Sequence, residues 1–201
     1  ENTQTPQSEV IKLVGSRLII GIPAIFLIIF LPAGTLAYWE AWIYLAILLI
    51  PMLFVMAYFL KKTPEFLVRR MKLKEKEGEQ KIIVKLAAIP LLLVLILPGL
   101  DKRFGWSNVP VLMVIVADIL VIMGYMLVVL VFKENQFASR VIEVEKGQTV
   151  IQSGPYRFVR HPMYVGTLIM YIATPLALGS YWAVIPALFL IPILVARIIN
   201  E

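Results

Sequence analysis

The sequence predicts an all-α integral membrane protein with about six transmembrane helices. Of its 201 residues, 60% are hydrophobic and only 16% are charged, and the mean hydropathy is +0.87. This composition leaves too little polar surface for a soluble domain of the same length. Apolar stretches of roughly 20 residues, the length that a helix needs to cross a bilayer, recur between polar or turn residues.

Residues 1–17 are predicted to be a short polar tail ahead of the first membrane helix. Their first ten letters, ENTQTPQSEV, lack the apolar core and the small-residue cleavage site of a secretory signal peptide. A solvated tail of this kind carries no pattern from which a function follows.

Six apolar segments come next, and each is interpreted as one crossing of the membrane. The first four lie within residues 18–132, together with a basic cytoplasmic loop at 61–85, and the last two lie within residues 133–201. The six segments are residues 18–37, 42–60, 82–100, 111–132, 163–178 and 181–196.

The distribution of positive charge predicts a cytoplasmic amino terminus. In that orientation 17 of the 19 Lys and Arg residues lie on the cytoplasmic side, and only Lys102 and Arg103 lie outside. Cytoplasmic loops of membrane proteins are rich in Lys and Arg. The net charge of +6 is then explained by the anionic membrane surface, without nucleic acid as a partner.

The basic loop begins with a helix signal, because Thr63 can cap a helix whose first residue is Pro64. Phe66, Leu67 and Met71 lie there among basic residues. The pattern fits an interfacial helix. Two interpretations remain open, a solvated basic loop at anionic headgroups and a lid over a cytoplasmic site.

Asp118 is the one acid well inside a predicted span, and an ionisable group at such depth is a functional candidate by default. It falls in the outer half of the fourth span, far from His161. We expect it to pair with Lys102, Arg103 or a hydroxyl on a neighbouring helix rather than to take part in catalysis.

The last two spans are predicted to form a tight helical hairpin. Residues 163–178 give roughly 24 Å of helix against a hydrocarbon core of about 30 Å, and LGSYW at 178–182 supplies a Gly-Ser turn. Both ends of the hairpin therefore return to the cytoplasmic side, which brings Arg160, His161 and Arg197 to the same depth.

The connection before the hairpin, residues 133–162, is long and polar, and ordered connections of this length tend to carry function. Pro162 restrains His161, the one histidine, and starts the next helix. The residues alone leave an alternative open, in which Arg160 and His161 are snorkelling anchors and Tyr156 and Tyr164 belong to the interfacial aromatic belt.

The stretch GQTVIQSGPYRFVRHPMYVG, followed after the hairpin by RIINE, resembles the isoprenylcysteine carboxyl methyltransferase family. These are membrane enzymes that use S-adenosylmethionine and are related to phospholipid methyltransferases. The resemblance covers residues 133–201, which it implies to be the catalytic segment, with a cofactor-binding connection ahead of the hairpin. The first 130 residues are similar only in being transmembrane.

The resemblance also implies roles for single residues. The Arg that contacts substrate falls on Arg197, and Glu201, four residues later, shares its helix face. The carboxylate of the cofactor needs donors, which adds Arg160 beside His161. The residues implied to bind the cofactor are Gln148, Thr149, Val150, Ile151, Tyr156, His161, Pro162, Met163, Tyr164 and Glu201.

Methyl transfer from a sulfonium needs positioning and exclusion of water more than acid–base groups. A carboxylate acceptor is already ionised near neutral pH, so Arg197 could hold it without a base. With no Cys and one His, no metal site is expected. The acceptor implied is a lipid-linked or prenylated carboxylate, taken up from the bilayer.

Three other functions stay open at this stage. A phospholipid amine methyltransferase would need a base near the ammonium group that it deprotonates, and the sequence shows no obvious one. A membrane reductase would need to bind NADPH. A non-catalytic scaffold or transporter would use the motif only as an anchor, but transporters usually show repeats and polar midplane groups that this sequence lacks. The sequence carries no signal for an oligomeric state.

Overall fold

A computed structural model of the protein describes residues 7–70, 78–135 and 151–199. These residues form seven α-helices and one 3₁₀ turn, and no strand occurs among them. The all-α fold is confirmed. The elements are α1 Gln7–Ala33, α2 Trp39–Lys62, α3 Pro64–Arg70, α4 Gly78–Phe104, α5 Val111–Glu134, the 3₁₀ turn Gly154–Arg157, α6 Pro162–Ala177 and α7 Val184–Ile199.

Four of these helices, α1, α2, α4 and α5, are long and apolar enough to cross a membrane, and α6 and α7 are shorter apolar helices of 16 residues each. Large apolar side chains point outward along them, as for Ile19 at 76% and Phe54 at 73% exposure. In water such surfaces would be unfavourable, whereas in a bilayer they meet hydrocarbon. The integral membrane prediction is confirmed.

Helix α1 begins at Gln7, so residues 7–17 are helical where a solvated tail was predicted. Val10 and Val14, one turn apart, are buried in a cluster with Phe59 and Phe66. Tertiary packing of this one face extends the helix into a stretch that is polar overall. Residues 1–6 lie outside the described part of the chain.

Successive long helices run in opposite directions, so starts and ends of helices meet at each end of the bundle. We call the end that holds the start of α6 the motif end, and the other the opposite end. At the opposite end the Tyr38 hydroxyl donates to the Leu178 carbonyl at 2.5 Å, and Lys102 pairs with Glu40 at 3.2 Å. Burial raises the pKa of Tyr38, so its hydroxyl stays protonated and able to donate.

The predicted hairpin is present, since residues 178–183 alone connect α6 to α7. Gly179 adopts φ +72°, a left-handed conformation that glycine accommodates readily. Ser180 is buried there and donates to Asp101 on α4, which ties the hairpin turn to the rest of the bundle.

Helices α5 and α6 pack together at two glycines. A Cβ on Gly124 would lie 2.6 Å from the Gly166 carbonyl oxygen, and a Cβ on Gly166 would lie 2.7 Å from that of Gly124. Only residues without a side chain allow this approach. The contact fixes the position of α6 along α5.

That position leaves α6 short of the motif end. From Gly124, α5 continues ten residues to Glu134, whereas α6 begins only four residues before Gly166. At 1.5 Å per residue, Pro162 lies about 9 Å deeper in the bundle than the end of α5. The first turn of α6 is therefore set back from the end of α5.

Candidate functional site

The motif that the sequence singled out lies at this recessed start of α6. Pro162 is the first residue of α6, a position that the fixed φ of proline suits. Its side chain is buried. His161 stands immediately before it with φ −124° and ψ 63°, outside the helical region. Its ring centroid lies 5.9 Å from that of Tyr164. The imidazole and the phenol thus lie close together.

Tyr164 connects α6 to α7. The Nε atom of Arg197, in the last turn of α7, donates to the Tyr164 hydroxyl at 3.1 Å. Two residues with different implied roles, one toward cofactor and one toward substrate, are therefore in direct contact although 33 positions separate them. The predicted convergence of the hairpin ends brings Arg197 to the first turn of α6.

The 3₁₀ turn Gly154–Arg157, which holds the Gly-x-Tyr pattern of the motif at residues 154–156, lies against the end of α5. Gly154 has φ +57°, and a Cβ there would lie 3.0 Å from the Glu134 carboxyl carbon. The Ser153 hydroxyl donates to that carboxylate, and Asn135 donates to the Tyr156 hydroxyl at 2.9 Å. Gly154 is thus required both for backbone conformation and for space.

Glu134, Asn135 and Ser153 hold the Gly154–Arg157 turn against α5, and no role was predicted for any of them from the sequence. The signal was weak, because Glu134 and Asn135 follow the fourth apolar span as an ordinary polar helix end. Their importance lies in contacts across about 20 residues, which local patterns do not reveal.

Helix α3 forms a third side of the motif end. Arg70 Nη1 lies 3.8 Å from the Met163 sulfur, and its guanidinium carbon lies 4.6 Å from the Phe132 ring centroid. Phe66 and Leu67 are buried against α1, α2 and Phe132. For Pro64–Arg70 this packing excludes a freely solvated loop. Residues 71–77 lie outside the described chain.

The other predicted residues are placed as follows. Arg157 and Arg160 are exposed, while Ile151, Tyr156 and Met163 are partly buried. Four residues implied to bind the cofactor, Gln148, Thr149, Val150 and Glu201, lie outside the described residues, and their roles stay predictions.

Asp118 does not pair as expected. Its side chain is 6% exposed, and its Oδ1 atom has no hydrogen-bond partner in the described part of the chain. Lys102 is instead held by Glu40 at the opposite end, and Arg103 lies beside Gly34. Both predicted partners are exposed residues in the last turn of α4, whereas Asp118 is buried inside the bundle.

The acid with a full set of partners is Asp101, which the sequence did not single out. It is 1% exposed and accepts hydrogen bonds from the Ser107 amide and hydroxyl, both at 2.6 Å, and from the Ser180 hydroxyl. This network joins two connections at the opposite end. It is structural, and it lies far from His161.

A groove of about 580 Å³ runs between α4 and α7. Its wall is almost wholly apolar and includes Ile193, one helical turn before Arg197. Such a wall suits a hydrocarbon chain rather than a polar ligand. The lining residues are Leu86, Ile89, Pro90, Leu93, Leu97, Trp106, Trp182, Ile185, Pro186, Phe189 and Ile193.

The family model described as phospholipid methyltransferase matches residues 112–201, from the start of α5 through the hairpin. It is a membrane methyltransferase family related to the isoprenylcysteine carboxyl methyltransferases, so the resemblance predicted from the motif is confirmed. No curated protein and no solved structure matches the chain. The match indicates a membrane methyltransferase.

Proposed function

We propose that this protein transfers a methyl group from S-adenosylmethionine to a lipid-linked acceptor at the cytoplasmic face of the membrane. The observation that carries the proposal is the Arg197–Tyr164 hydrogen bond, because it joins the implied substrate residue to the implied cofactor residues. Both lie within the region that matches the methyltransferase family.

The residues around the first turn of α6 fit the proposed cofactor. His161 and Arg160 are donors suited to a carboxylate, and the faces of Tyr156 and Tyr164 suit a sulfonium, for which cation–π attraction contributes about 0.5–2 kcal/mol. Glu201 would hold the amino group. When bound, S-adenosylmethionine supplies the methyl group as an electrophile.

This chain's own contribution to the reaction would be positioning. Arg197 holds the anionic head of the acceptor by a charge-assisted pair, and Tyr164 limits the orientations of its guanidinium. Pro162 and Tyr164 are buried, which keeps the first turn of α6 away from bulk water. A carboxylate acceptor, as on an isoprenylcysteine-like substrate, attacks without giving up a proton, so no base is needed.

A second acceptor is favoured by the family that matches, whose description names phospholipids. Methylation of a phospholipid amine requires loss of a proton from the ammonium group. His161 is the candidate base, because its imidazole lies beside Tyr164 at the first turn of α6.

The α4–α7 groove supports a lipid acceptor of either kind. A chain lying along it would have its end near Ile193, and its polar head one turn farther on, at Arg197. The tail would stay in hydrocarbon while the head reaches Arg197 and the first turn of α6.

Charge supports a cytoplasmic motif end. Lys61, Lys62, Lys133, Arg157 and Arg160 lie there, whereas Lys102 and Arg103 lie at the opposite end. The positive-inside rule assigns the richer end to the cytoplasm.

The first test is calorimetric titration of the purified full-length protein in detergent with S-adenosylhomocysteine, with NADPH as the comparison ligand. We expect saturable binding of S-adenosylhomocysteine alone, lost in His161→Ala. Binding of NADPH alone would favour the reductase, and binding of neither by folded protein would favour the scaffold.

A second assay identifies the acceptor. Transfer of labelled methyl groups would be measured to a farnesylated cysteine derivative and, separately, to phosphatidylethanolamine vesicles. Activity with the first supports carboxyl methylation, and activity with the second supports amine methylation.

A further inference from the structure

Two lysines from different helices meet on one exposed tyrosine at the motif end. The ammonium nitrogen of Lys62, in the last turn of α2, lies 5.3 Å from the centroid of the Tyr58 ring, and that of Lys133, in the last turn of α5, lies 5.8 Å from it. We call these three residues the Tyr58 cluster. We propose that the Tyr58 cluster binds the headgroup of an anionic phospholipid in the leaflet at the motif end. This inference does not depend on the proposed function.

The ring on which the lysines meet is held in place by the core. Phe59, the next residue, is buried, lies edge-on to the Tyr58 ring with centroids 5.2 Å apart and stacks on Phe66 at 4.4 Å. Tyr58 itself is 40% exposed, so its ring remains accessible. The cation–π contacts to this fixed ring restrain two side chains that are otherwise flexible.

The two positive charges have no carboxylate partner in the part of the chain that the structure describes. Lys62 and Lys133 are both exposed, and neither forms an ion pair there. The carboxylate next to Lys133 in sequence, that of Glu134, accepts a hydrogen bond from Ser153 instead. Two ammonium groups near one ring repel each other, so an anion that contacts both would relieve the repulsion. The Tyr58 hydroxyl would add a neutral donor for a phosphate oxygen.

A row of apolar side chains on α2 indicates that the anion belongs to a lipid. Ile50, Phe54 and Tyr58 follow one another at intervals of four residues, and Lys62 continues the series. Residues at this spacing share one face of a helix. The two apolar members are exposed, so this face meets hydrocarbon along the bilayer and ends in a cation.

A second row of exposed apolar residues, on α5, leads to Lys133. Met126 and Leu130 precede it by seven and three residues, spacings that keep all three on one face of the helix. Because Lys133 reaches the Tyr58 ring on α2, the two rows meet at the Tyr58 cluster. Acyl chains that lie along these rows would place the lipid phosphate at the cluster, whereas a soluble anion would contact the cluster alone.

The lipid at the Tyr58 cluster is a bound partner and not the acceptor. The groove proposed for the acceptor lies between α4 and α7, whereas the cluster joins α2 and α5. A ligand that binds the folded protein stabilises it, so an anionic lipid that bridges the ends of α2 and α5 should raise the thermal midpoint.

The test is native mass spectrometry of the full-length protein in detergent, titrated with phosphatidylglycerol or with phosphatidylcholine. Both lipids carry a phosphate, but the choline ammonium is repelled by the lysines, so we expect wild type to bind phosphatidylglycerol more tightly. Replacing both lysines, in Lys62→Gln/Lys133→Gln, should raise the Kd of the first phosphatidylglycerol about 30-fold, and each single change about fivefold. The matched control is Lys81→Gln/Lys85→Gln, which removes two exposed lysines of α4 and should keep the wild-type Kd.

Tyr58→Leu separates a built site from general attraction between charges. Both ammonium groups remain in this variant but lose their common ring, and we expect the Kd of phosphatidylglycerol to rise. An unchanged Kd in Lys62→Gln/Lys133→Gln, or an equal rise in the α4 control, would overturn the proposal, because binding would then not depend on these two lysines. An unchanged Kd in Tyr58→Leu would also overturn it, because the lysines would then need no common ring.

Thermal unfolding in the same detergent gives an independent measurement. Phosphatidylglycerol should raise the midpoint of wild type and of the α4 control, but not that of Lys62→Gln/Lys133→Gln. Since both lysines are exposed, their replacement should leave the fold intact. Inorganic phosphate tests the source of the anion, and we expect it to leave the midpoint unchanged because it has no chains. An equal rise with inorganic phosphate would assign the Tyr58 cluster to a soluble anion and overturn the lipid proposal.

Discussion

Arg197 and Tyr164 are joined by a hydrogen bond of 3.1 Å between the end of α7 and the first turn of α6. Tyr164→Phe removes the acceptor hydroxyl and keeps the ring. We expect kcat/KM for the acceptor to fall about tenfold, the size of one hydrogen bond to a charged group, with S-adenosylhomocysteine affinity little changed. Tyr181→Phe at the opposite end is the control. Equal loss of both quantities would contradict a role through Arg197.

The Gly124–Gly166 contact should be sensitive to a single added carbon. In Gly124→Ala the new Cβ would lie 2.6 Å from a backbone oxygen, so α5 and α6 must separate. Overpacking of this kind costs about 1–3 kcal/mol, and the thermal midpoint in detergent should fall. Gly21→Ala in α1, where no atom lies within 4 Å of the new carbon, should be neutral or stabilising. Similar midpoints for the two variants would refute the close packing.

Gly154→Ala tests the link between α5 and the Gly-x-Tyr turn. A non-glycine residue at φ +57° costs about 1–2 kcal/mol, and the Cβ would also press on Glu134 at 3.0 Å. We expect weaker binding of S-adenosylhomocysteine by calorimetry, with Tyr156 displaced. Gly105→Ala has a similar φ of +66° with open space around it at the opposite end, so it should leave binding unchanged. Unchanged binding in both variants would show that this turn does not contribute to cofactor binding.

Replacing Asp118 and replacing Asp101 by Leu should change the free energy of unfolding in opposite directions. Asp118→Leu replaces a buried carboxyl whose Oδ1 has no partner in the described chain, and we expect the unfolding free energy to rise by about 1–3 kcal/mol with activity retained. Asp101→Leu leaves the Ser107 amide and the two Ser hydroxyls without their acceptor, so stability should fall. Loss of activity in a stable Asp118→Leu protein would assign Asp118 a function.

Much of this organisation could be predicted from local patterns. The membrane class, six of the seven helices and the tight turn before α7 follow from apolar length and turn residues, because in lipid a helix must satisfy its own backbone. Thr63 and Pro64 also indicated where α3 begins. The residues of the motif were singled out by resemblance, and their proposed roles stay predictions.

Other features were decided only by the tertiary structure. Helix α5 is apolar on every side, so its sequence has no polar face to show which side meets α6, and the choice falls to Gly124 and Gly166. The approach of Arg70 to Met163 spans 93 positions and depends on how α3 packs.

The physical reason is the bilayer itself. Hydropathy determines that a segment enters the membrane, since the free energy of membrane insertion depends on the composition and length of the segment. It does not determine which helices touch, because lipid and neighbouring helices are equally apolar and the contact depends on close fit and on a few hydrogen bonds. The sequence by itself therefore determined the helices and the motif. The tertiary structure alone decided the depth of α6 and the side chains that surround it.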